Sequence, residues 1–156
     1  MLEQYQDTHL LLIGPITAAW YYEEIRKQAE TLGVKERLTV IPGLKPDDAE
    51  LLQAFKTAHC FILPSRHEPF GIAALEALDA GVPLIASAVG GLRDFLDDGK
   101  NALLFEDKNV KSLLEAYSKT ECLRDVLIAG GKRTAQEYNW QTIAAKLTDI
   151  YRELKA

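Results

Sequence analysis

The chain has 156 residues, of which 47% are hydrophobic and 26% are charged, and its formal net charge is −5. This length predicts one domain with a substantial core, and the composition is ordinary for a globular protein. The acidic balance disfavours nucleic acid as a partner, because nucleic-acid binding depends on basic surfaces. Cys60 lies in a predicted strand, and Cys122 lies near a predicted helix start. The two cysteines show no recurrent spacing, so neither a disulfide framework nor a metal motif is indicated.

No apolar run reaches the roughly 18 residues that a membrane-spanning helix needs, and no signal-peptide pattern opens the chain. Because no disulfide framework is indicated, a reduced, cytoplasmic location is expected. Contact with a membrane is expected to be peripheral at most, at the inner membrane face in the full-length protein.

Apolar runs alternate with amphipathic segments along the first part of the chain. Residues 9–14 and 38–43 are short apolar runs typical of parallel strands. Residues 19–32 carry an apolar stripe at helical spacing, and a further helix begins within residues 45–48 with Asp47 as its N-cap. The alternation predicts an α/β fold with a Rossmann-like parallel sheet and helices on both faces.

The central stretch predicts a strand, a loop, a buried helix and a second strand. The strand covers residues 60–64, the loop residues 65–70, the helix residues 71–80 and the second strand residues 84–87. Such a unit places its loop at the carboxyl end of a parallel strand and points the first amides of the helix at the crevice where α/β sheets bind ligands. An anionic ligand is expected there.

Two carboxylates flank this crevice, Glu68 in the loop and Glu76 in the otherwise apolar helix. A buried carboxylate without partners is costly, so these groups should reach water or bind a ligand rich in donors, such as sugar and ribose hydroxyls. The alternative is that Glu76 and Asp79, at positions i and i+3, form a solvated stripe on a packing helix. Spacing alone favours this alternative.

The last part of the chain predicts a Gly-Gly turn and a short helical segment over residues 89–96, a turn over 97–101 and a strand over 102–105. The remainder is helical and carries two predicted core stripes. The first comprises Val110, Leu113, Leu114 and Tyr117, and the second comprises Trp140, Ile143, Ala144, Leu147, Ile150 and Tyr151. We expect Trp140 to be a packing anchor.

Three short segments of the central stretch read PSRHEPFG at 64–71, EAL at 76–78 and AGVP at 80–83. Together they resemble the donor-site signature of retaining glycosyltransferases of the family 4 type, and the likeness extends in order over nearly the whole chain. It implies the C-terminal, donor-binding half of a GT-B architecture. The implied activity is that of a hexosyltransferase-type enzyme that moves a sugar from a nucleotide-diphosphate sugar to an acceptor.

The resemblance assigns a role to each residue of the motif. Glu68 would bind hydroxyls of the donor sugar and favour an oxocarbenium-like transition state, as the catalytic residue. Glu76 would bind the ribose hydroxyls, as an acceptor-only group that forms strong charge-assisted hydrogen bonds. The backbone amides of Phe70, Gly71 and Ile72 would bind the diphosphate. The glycine at 71 would let the phosphate approach the backbone, and a role as a helix cap is equally compatible.

Further positions match the family pattern less closely. Gly43 and Leu44 correspond to a turn that contacts the base, and Gly14 corresponds to a Gly-x-Gly-Pro turn. Arg66 is either a phosphate contact or a surface or ion-paired residue. Neighbours of the site are expected at Gly90 and Gly91, although Asp94 stands where Glu is commoner and Ala102 stands where Gly is usual.

The resemblance implies no required cofactor or metal, and a UDP- or GDP-sugar as the donor substrate. We expect residues 1–156 to form a single nucleotide-sugar-binding domain, without the family's preceding strand and Arg/Lys loop. The sugar or lipid-linked acceptor would bind a missing N-terminal domain, so the chain alone should be a poor catalyst. A variant within the class is an enzyme like glycogen synthase or sucrose-phosphate synthase. The alternative from another class is a non-catalytic flavodoxin-like nucleotide-binding or scaffolding domain.

Overall fold

The computed structural model describes residues 1–45 and 48–155, so the predicted N-cap Asp47 lies outside the described residues. The strands are β1 Leu10–Ile13, β2 Leu38–Ile41, β3 Phe61–Leu63, β4 Leu84–Ser87 and β5 Leu103–Phe105. The α-helices are α1 Ala19–Thr31, α2 Ala49–Thr57, α3 Ile72–Ala80, α4 Val110–Glu137 and α5 Trp140–Glu153, and short 3₁₀ helices cover Lys35–Arg37 and Gly90–Asp94. The predicted alternation of strands and helices is confirmed.

The chain forms two compact units, Met1–Leu52 and Gln53–Ala156. In the first unit, β1 and β2 pair in parallel with Leu10 opposite Leu38. A small core of Leu2, Ala29 and Val34 packs against these two leucines. The first unit therefore holds a pair of parallel strands on a modest hydrophobic cluster.

The second unit contains a parallel sheet of three strands in the order β3-β4-β5. The central strand β4 is buried along its whole length. Its side chains alternate between two hydrophobic clusters, because successive residues of a strand point to opposite faces. Leu84 and Ala86 pack with Ala74 and Leu78 of α3, whereas Ile85 packs on the other face with residues of α4. The predicted covering of both faces is confirmed for this sheet.

Helix α4 lies very close to the turn that precedes β5. Gly130 and Gly131 are buried in the helix, where glycine lowers helix propensity. A Cβ at Gly130 would collide with the carbonyl oxygen of Lys100, and one at Gly131 would lie 2.7 Å from the Leu78 side chain. Gly130 therefore allows a close helix–turn contact that a larger residue would prevent, and Gly131 allows a close contact between α4 and the Leu78 side chain of α3.

The buried side chain of Asn101 ties the same turn to α4. Its Nδ2 donates to the carbonyl oxygen of Phe95 and to Oγ1 of Thr134, each at 2.8 Å. Its Oδ1 accepts from the backbone N–H of Asp97 at 2.7 Å. Because Asn101 is only 6% exposed, these hydrogen bonds satisfy polar groups that water does not reach.

The predicted core stripe on the last helix is wrong. Trp140 is 86% exposed, and no residue of α5 is buried. Helical periodicity shows that a helix has an apolar face, but it does not show what covers that face. Within the described residues, no helix is both long enough and apolar enough to cross a bilayer.

The two cysteines are free thiols in different surroundings. Cys60 immediately precedes β3 and is partly buried, whereas Cys122 is exposed in the middle of α4 and not near a helix start. The helix continues without a break from Val110 to Glu137, which explains the difference from the prediction. Burial raises the pKa of the Cys60 thiol to about 11, against the opposing effect of the nearby Arg124 charge.

We predict that iodoacetamide at pH 8 modifies Cys122 in the folded protein at least about tenfold faster than Cys60, because only the thiolate reacts. Peptide mass spectrometry measures both rates, and both thiols should react in denaturant. Equal rates in the folded protein would contradict the assignment.

Since the folded state holds the Cys60 proton more tightly, the free energy of unfolding should fall as the pH rises from about 8.5, the pKa of a free thiol, towards 11.

We predict that Gly130→Ala lowers the free energy of unfolding by about 2 kcal/mol, because the collision with Lys100 outweighs the gain in helix propensity of about 1 kcal/mol. Gly14→Ala is the control, since nothing lies within 4 Å of a Cβ there, and it should change the value by less than about 0.5 kcal/mol. Urea unfolding followed by circular dichroism measures both. A more stable Gly130→Ala variant would show that the close approach is absent.

Candidate functional site

The predicted motif lies at the carboxyl edge of the sheet in the second unit. Strand β3 ends at Leu63, and the loop of residues 64–71 leads from it into α3. Ser87, the last residue of β4, is completely buried and donates through Oγ to the carbonyl oxygen of Ser65 at 2.5 Å. The same Oγ lies 3.4 Å from the carbonyl oxygen of Leu63. The start of the loop is therefore anchored to the neighbouring strand.

Glu68 projects from this loop with a partly buried side chain. Oγ of Ser65 lies 3.5 Å from Oε2 of Glu68, which is a long hydrogen bond. Within residues 1–45 and 48–155, neither Glu68 nor Glu76 forms a salt bridge. The carboxylate of Glu68 therefore keeps most of its capacity to accept hydrogen bonds from a ligand.

The Gly-Gly turn packs directly against the backbone of the Glu68 loop. The N–H of Gly91 donates to the carbonyl oxygen of Glu68 at 2.9 Å. Gly90 has φ +49, and a Cβ there would collide with the same carbonyl oxygen, while a Cβ at Gly91 would collide with that of Pro69. The structure thus brings both predicted neighbours into contact with the loop, and close backbone approach explains why both are glycine.

Gly71 adopts a left-handed conformation with φ +101 at the start of α3. A Cβ there would lie 2.5 Å from Cδ2 of Leu92 and 3.4 Å from Cζ of Phe95. Protein packing therefore accounts for glycine at this position, where the sequence left open a helix cap or the approach of a phosphate. The carbonyl oxygen of Gly71 accepts from the N–H groups of Ala74 and Leu75 at 3.0 and 3.2 Å, so this residue begins the helix.

One side of the first turn of α3 is exposed to solvent. No side-chain hydrogen bond caps this end of the helix, and the side chain of Ile72 is 66% exposed. Glu76 lies one turn later on the same face as Ile72, and it is exposed, as is Asp79. The helix is therefore buried on one face only, and Glu76 lies on a solvated stripe that begins at the helix N-terminus.

Arg66 and His67 are both exposed in the loop. Arg66 forms no ion pair with any described residue, so no carboxylate of that part of the chain holds its charge. Across the same described residues, no group of at least three His, Cys, Asp and Glu side chains is placed to hold a metal ion.

The remaining predicted residues form a separate group in the first unit. Gly14 follows β1, and its N–H donates to the carbonyl oxygen of Ile41, the last residue of β2, at 3.1 Å. A Cβ at Gly43 would lie 3.9 Å from backbone atoms of Pro15. Gly14 and Gly43 therefore belong to adjacent turns at the carboxyl ends of paired strands, and Leu44 follows directly in the chain.

Two surface depressions of the described residues lie away from the predicted site residues. The first unit has a shallow depression of about 470 Å³ near Arg37 and Leu32, and another of about 200 Å³ near Arg26 and Lys35. None of the predicted site residues lines either depression. The candidate site is identified by its chemistry and its place at the sheet edge, since neither depression coincides with it.

Sequence reasoning missed the residues that support the loop. Ser87 is the polar end of an apolar strand, and that position was the only available signal for it. Phe70 contributes a ring as well as an amide, because its ring centroid lies 6.0 Å from those of both Phe95 and Tyr138. Tyr138 lies 67 positions beyond Gly71 in the chain and belongs to no recognisable motif, so only the folded chain brings it to the loop.

We predict that Gly90→Ala lowers the free energy of unfolding by about 2 kcal/mol more than Gly99→Ala does. Both glycines have positive φ, at +49 and +71, but only the Cβ at Gly90 would meet backbone, whereas nothing lies within 4 Å at Gly99. The comparison separates the collision with Glu68 from the conformational cost common to both substitutions. Urea unfolding of the two variants measures the difference, and equal losses would exclude the close approach.

Comparison with known proteins adds independent information. The chain is 33% identical over 129 residues to D-inositol 3-phosphate glycosyltransferase of Geodermatophilus obscurus, covering 82% of this chain and 28% of that relative. It superimposes on sucrose-phosphate synthase from Thermosynechococcus elongatus with a TM-score of 0.82 and 28% identity, covering 98% of this chain and 40% of that one. The superposition on Anabaena HepE in complex with UDP has a TM-score of 0.84 at 20% identity, and it covers 97% of this chain and 43% of that one.

The structural neighbours are GT-B glycosyltransferases, which confirms the predicted fold class. The chain spans less than half the length of each of these relatives, with shares of 28%, 40% and 43%. The family model of glycosyl transferases group 1 matches residues 1–125. The chain therefore belongs to the glycosyl transferases group 1 family.

Proposed function

We propose that this chain binds the nucleotide-diphosphate sugar donor of a retaining glycosyltransferase. One observation carries the proposal: the Glu68 loop leads directly into the open first turn of α3, at the carboxyl edge of a parallel sheet. The site thus offers acceptors for sugar hydroxyls and donors for phosphate oxygens within one short segment. Membership of a glycosyltransferase family supports this use of the segment.

The diphosphate binds at the N-terminus of α3 in this proposal. The amides of Phe70, Gly71 and Ile72 lie where the helix begins, and the partial positive charge of a helix N-terminus stabilises an anion. Arg66 in the same loop is exposed and free of ion pairs with the described residues, so its charge is available to a phosphate. The overall charge of −5 makes such local complementarity necessary.

Glu68 is the proposed catalytic residue. Its carboxylate accepts hydrogen bonds from hydroxyls of the donor sugar, and its negative charge stabilises the oxocarbenium character that develops as the bond to the diphosphate breaks. The hydrogen bond from Gly91 to the Glu68 carbonyl oxygen holds the backbone that carries this carboxylate. Catalysis benefits because a charge held in place needs no reorganisation during the reaction.

Glu76 is the proposed ribose ligand. Two ribose hydroxyls can donate to one carboxylate, and charge-assisted hydrogen bonds are stronger than neutral ones. Its exposed position on the face that begins at Ile72 leaves its oxygens accessible.

The donor is proposed to be a UDP- or GDP-hexose, bound with no required metal or other cofactor. Anabaena HepE has been solved in complex with UDP and with UDP-glucose, which supports a UDP-sugar. The relative from Geodermatophilus obscurus extends well beyond the matched 28% of its length. We propose that binding of a sugar or lipid-linked acceptor, and full turnover, require such additional sequence in a cytoplasmic protein.

We predict that Glu76→Gln weakens UDP binding by the 156-residue chain about 10- to 100-fold, because it removes charge-assisted hydrogen bonds to the ribose. Isothermal titration calorimetry with UDP and GDP measures the affinities. Asp79→Asn is the matched control, since this neighbouring carboxylate is also exposed on α3, and it should bind UDP as the unmodified chain does. An equal loss in both variants would attribute the effect to general charge and would contradict the ribose assignment.

We predict that Glu68→Gln lowers affinity for UDP-glucose about tenfold while affinity for UDP changes less than about twofold, because Glu68 contacts the sugar and not the nucleotide. The same calorimetric titration, run with both ligands, measures the ratio. If the variant lost affinity for both ligands to the same extent, Glu68 would not be a sugar contact. If the unmodified chain bound neither UDP- nor GDP-sugar at millimolar concentration, the proposed function would fail.

A further inference from the structure

The ring of Tyr138 lies against the candidate site from the side of α4. Its centroid is 6.0 Å from that of Phe70 and 5.4 Å from that of Phe95, and the latter two rings are 6.0 Å apart. All three distances lie within the range in which aromatic rings attract one another. Phe70 directly precedes Gly71 and directly follows Pro69 in the loop that carries Glu68. Tyr138 therefore contacts the loop through a single ring.

The position of Tyr138 is determined by the ends of two helices. It is the C-cap of α4, and its N–H donates to the carbonyl oxygen of Ala135 at 3.2 Å. The next residue, Asn139, is the N-cap of α5 and accepts through Oδ1 from the N–H of Thr142 at 2.8 Å. Asn139 also donates through Nδ2 to the carbonyl oxygen of Gln136 at 2.7 Å. The backbone on both sides of the tyrosine is thus hydrogen-bonded.

The last turns of α4 are in turn held against the segment that carries Phe95. Thr134, one turn before Tyr138, accepts from Asn101, which also binds the carbonyl oxygen of Phe95. Gly130 allows the helix to approach the Lys100 backbone at the same place. Tyr138 and Phe95 therefore form a ring pair on a backbone that is fixed on both sides, against which Phe70 packs.

Phe70 is the most exposed member of this cluster. It is 45% exposed, whereas Phe95 is 8% exposed and Tyr138 is partly buried. On the other side of the loop, the hydrogen bond from Gly91 to Glu68 and the contact of Gly90 hold the backbone. The loop is thus held between a glycine turn and a pair of rings, and removal of one ring leaves Phe70 with one aromatic contact.

We infer that Tyr138 is a positioning residue for the donor site. Through Phe70 it holds the backbone from Glu68 to Gly71, so that the Glu68 carboxylate and the first amides of α3 keep one relative arrangement. Tyr138 also packs against the hydrophobic cluster on the α3 side of the sheet, so the test must separate positioning from general stability. The inference rests on the proposed function for its consequence in binding, but the order of the loop can be measured without a ligand.

Hydrogen exchange by NMR in the free 156-residue chain tests the order of the loop. The Gly91 amide reports on the loop because it donates to Glu68, and the Ala88 amide is the internal reference because it donates to Phe105 of β5. Tyr138→Ala should speed exchange of Gly91 about 5- to 10-fold, the size expected for lost aromatic contacts, with little change at Ala88. Tyr138→Phe should restore the original rate, because the ring and not the hydroxyl makes the contact.

Leu123→Ala is the matched control for stability, because Leu123 is also partly buried on α4 but packs on the opposite face of the sheet. It should leave the ratio of Gly91 to Ala88 exchange unchanged. If Leu123→Ala and Tyr138→Ala raise that ratio equally, or if Tyr138→Ala leaves it unchanged, the inference is overturned. Should Tyr138→Ala fail to fold, Tyr138→Leu, which keeps bulk without an aromatic ring, replaces it with the same expected result.

Calorimetric titration with UDP-glucose then measures the consequence for binding. Tyr138→Ala should weaken binding about 5- to 10-fold, while Tyr138→Phe and Leu123→Ala stay within about twofold of the unmodified chain. Unchanged affinity in Tyr138→Ala would overturn the positioning role even if the loop were loosened. If the unmodified chain bound no nucleotide sugar, the proposed function would fail, and the exchange ratio alone would decide whether Tyr138 orders the loop.

Discussion

The close backbone contact between the Gly-Gly turn and the Glu68 loop is the constraint on which the candidate site depends. The hydrogen bond from Gly91 to Glu68 and the space left by the two glycines fix the loop at the edge of the sheet. Ser87 fixes the start of the same loop from the neighbouring strand. Backbone contacts of this kind hold the loop that carries Glu68, whose carboxylate has only a long hydrogen bond from Ser65 at 3.5 Å and so keeps most of its acceptor capacity for a ligand.

The rest of the second unit can be understood as support for this edge. The central strand is buried on both faces, so the sheet cannot shift without exposing core. Helix α4 covers one face, and its C-cap Tyr138 reaches the site, because Gly130 and Asn101 bring the helix close to the turn before β5. A long helix thereby connects the core of the sheet to the aromatic ring that packs on Phe70.

Much of this arrangement could be predicted from the sequence, because it depends on local patterns. The strand at residues 84–87 and the helix that follows Gly71 were expected within a residue of their observed bounds, since apolar runs, proline and glycine mark them. The ring contact of Tyr138 and the collision that requires Gly130 could not be predicted, because they join segments that are distant in sequence. The prediction that the apolar stripe of α5 is buried in the core is wrong for a related reason. Amphipathic spacing shows that a helix has an apolar face, but it does not show whether another surface covers that face.

The most direct test of the donor site is an NMR titration of the 156-residue chain with UDP, with assigned backbone amides. The largest shift changes are expected at Phe70, Gly71 and Ile72 at the start of α3, with smaller changes at Gly90 and Gly91, because phosphate oxygens should accept hydrogen bonds from the amides at the helix N-terminus. Changes confined to residues away from the carboxyl edge of the sheet, or none at saturating UDP, would contradict the assignment of this segment to the nucleotide diphosphate.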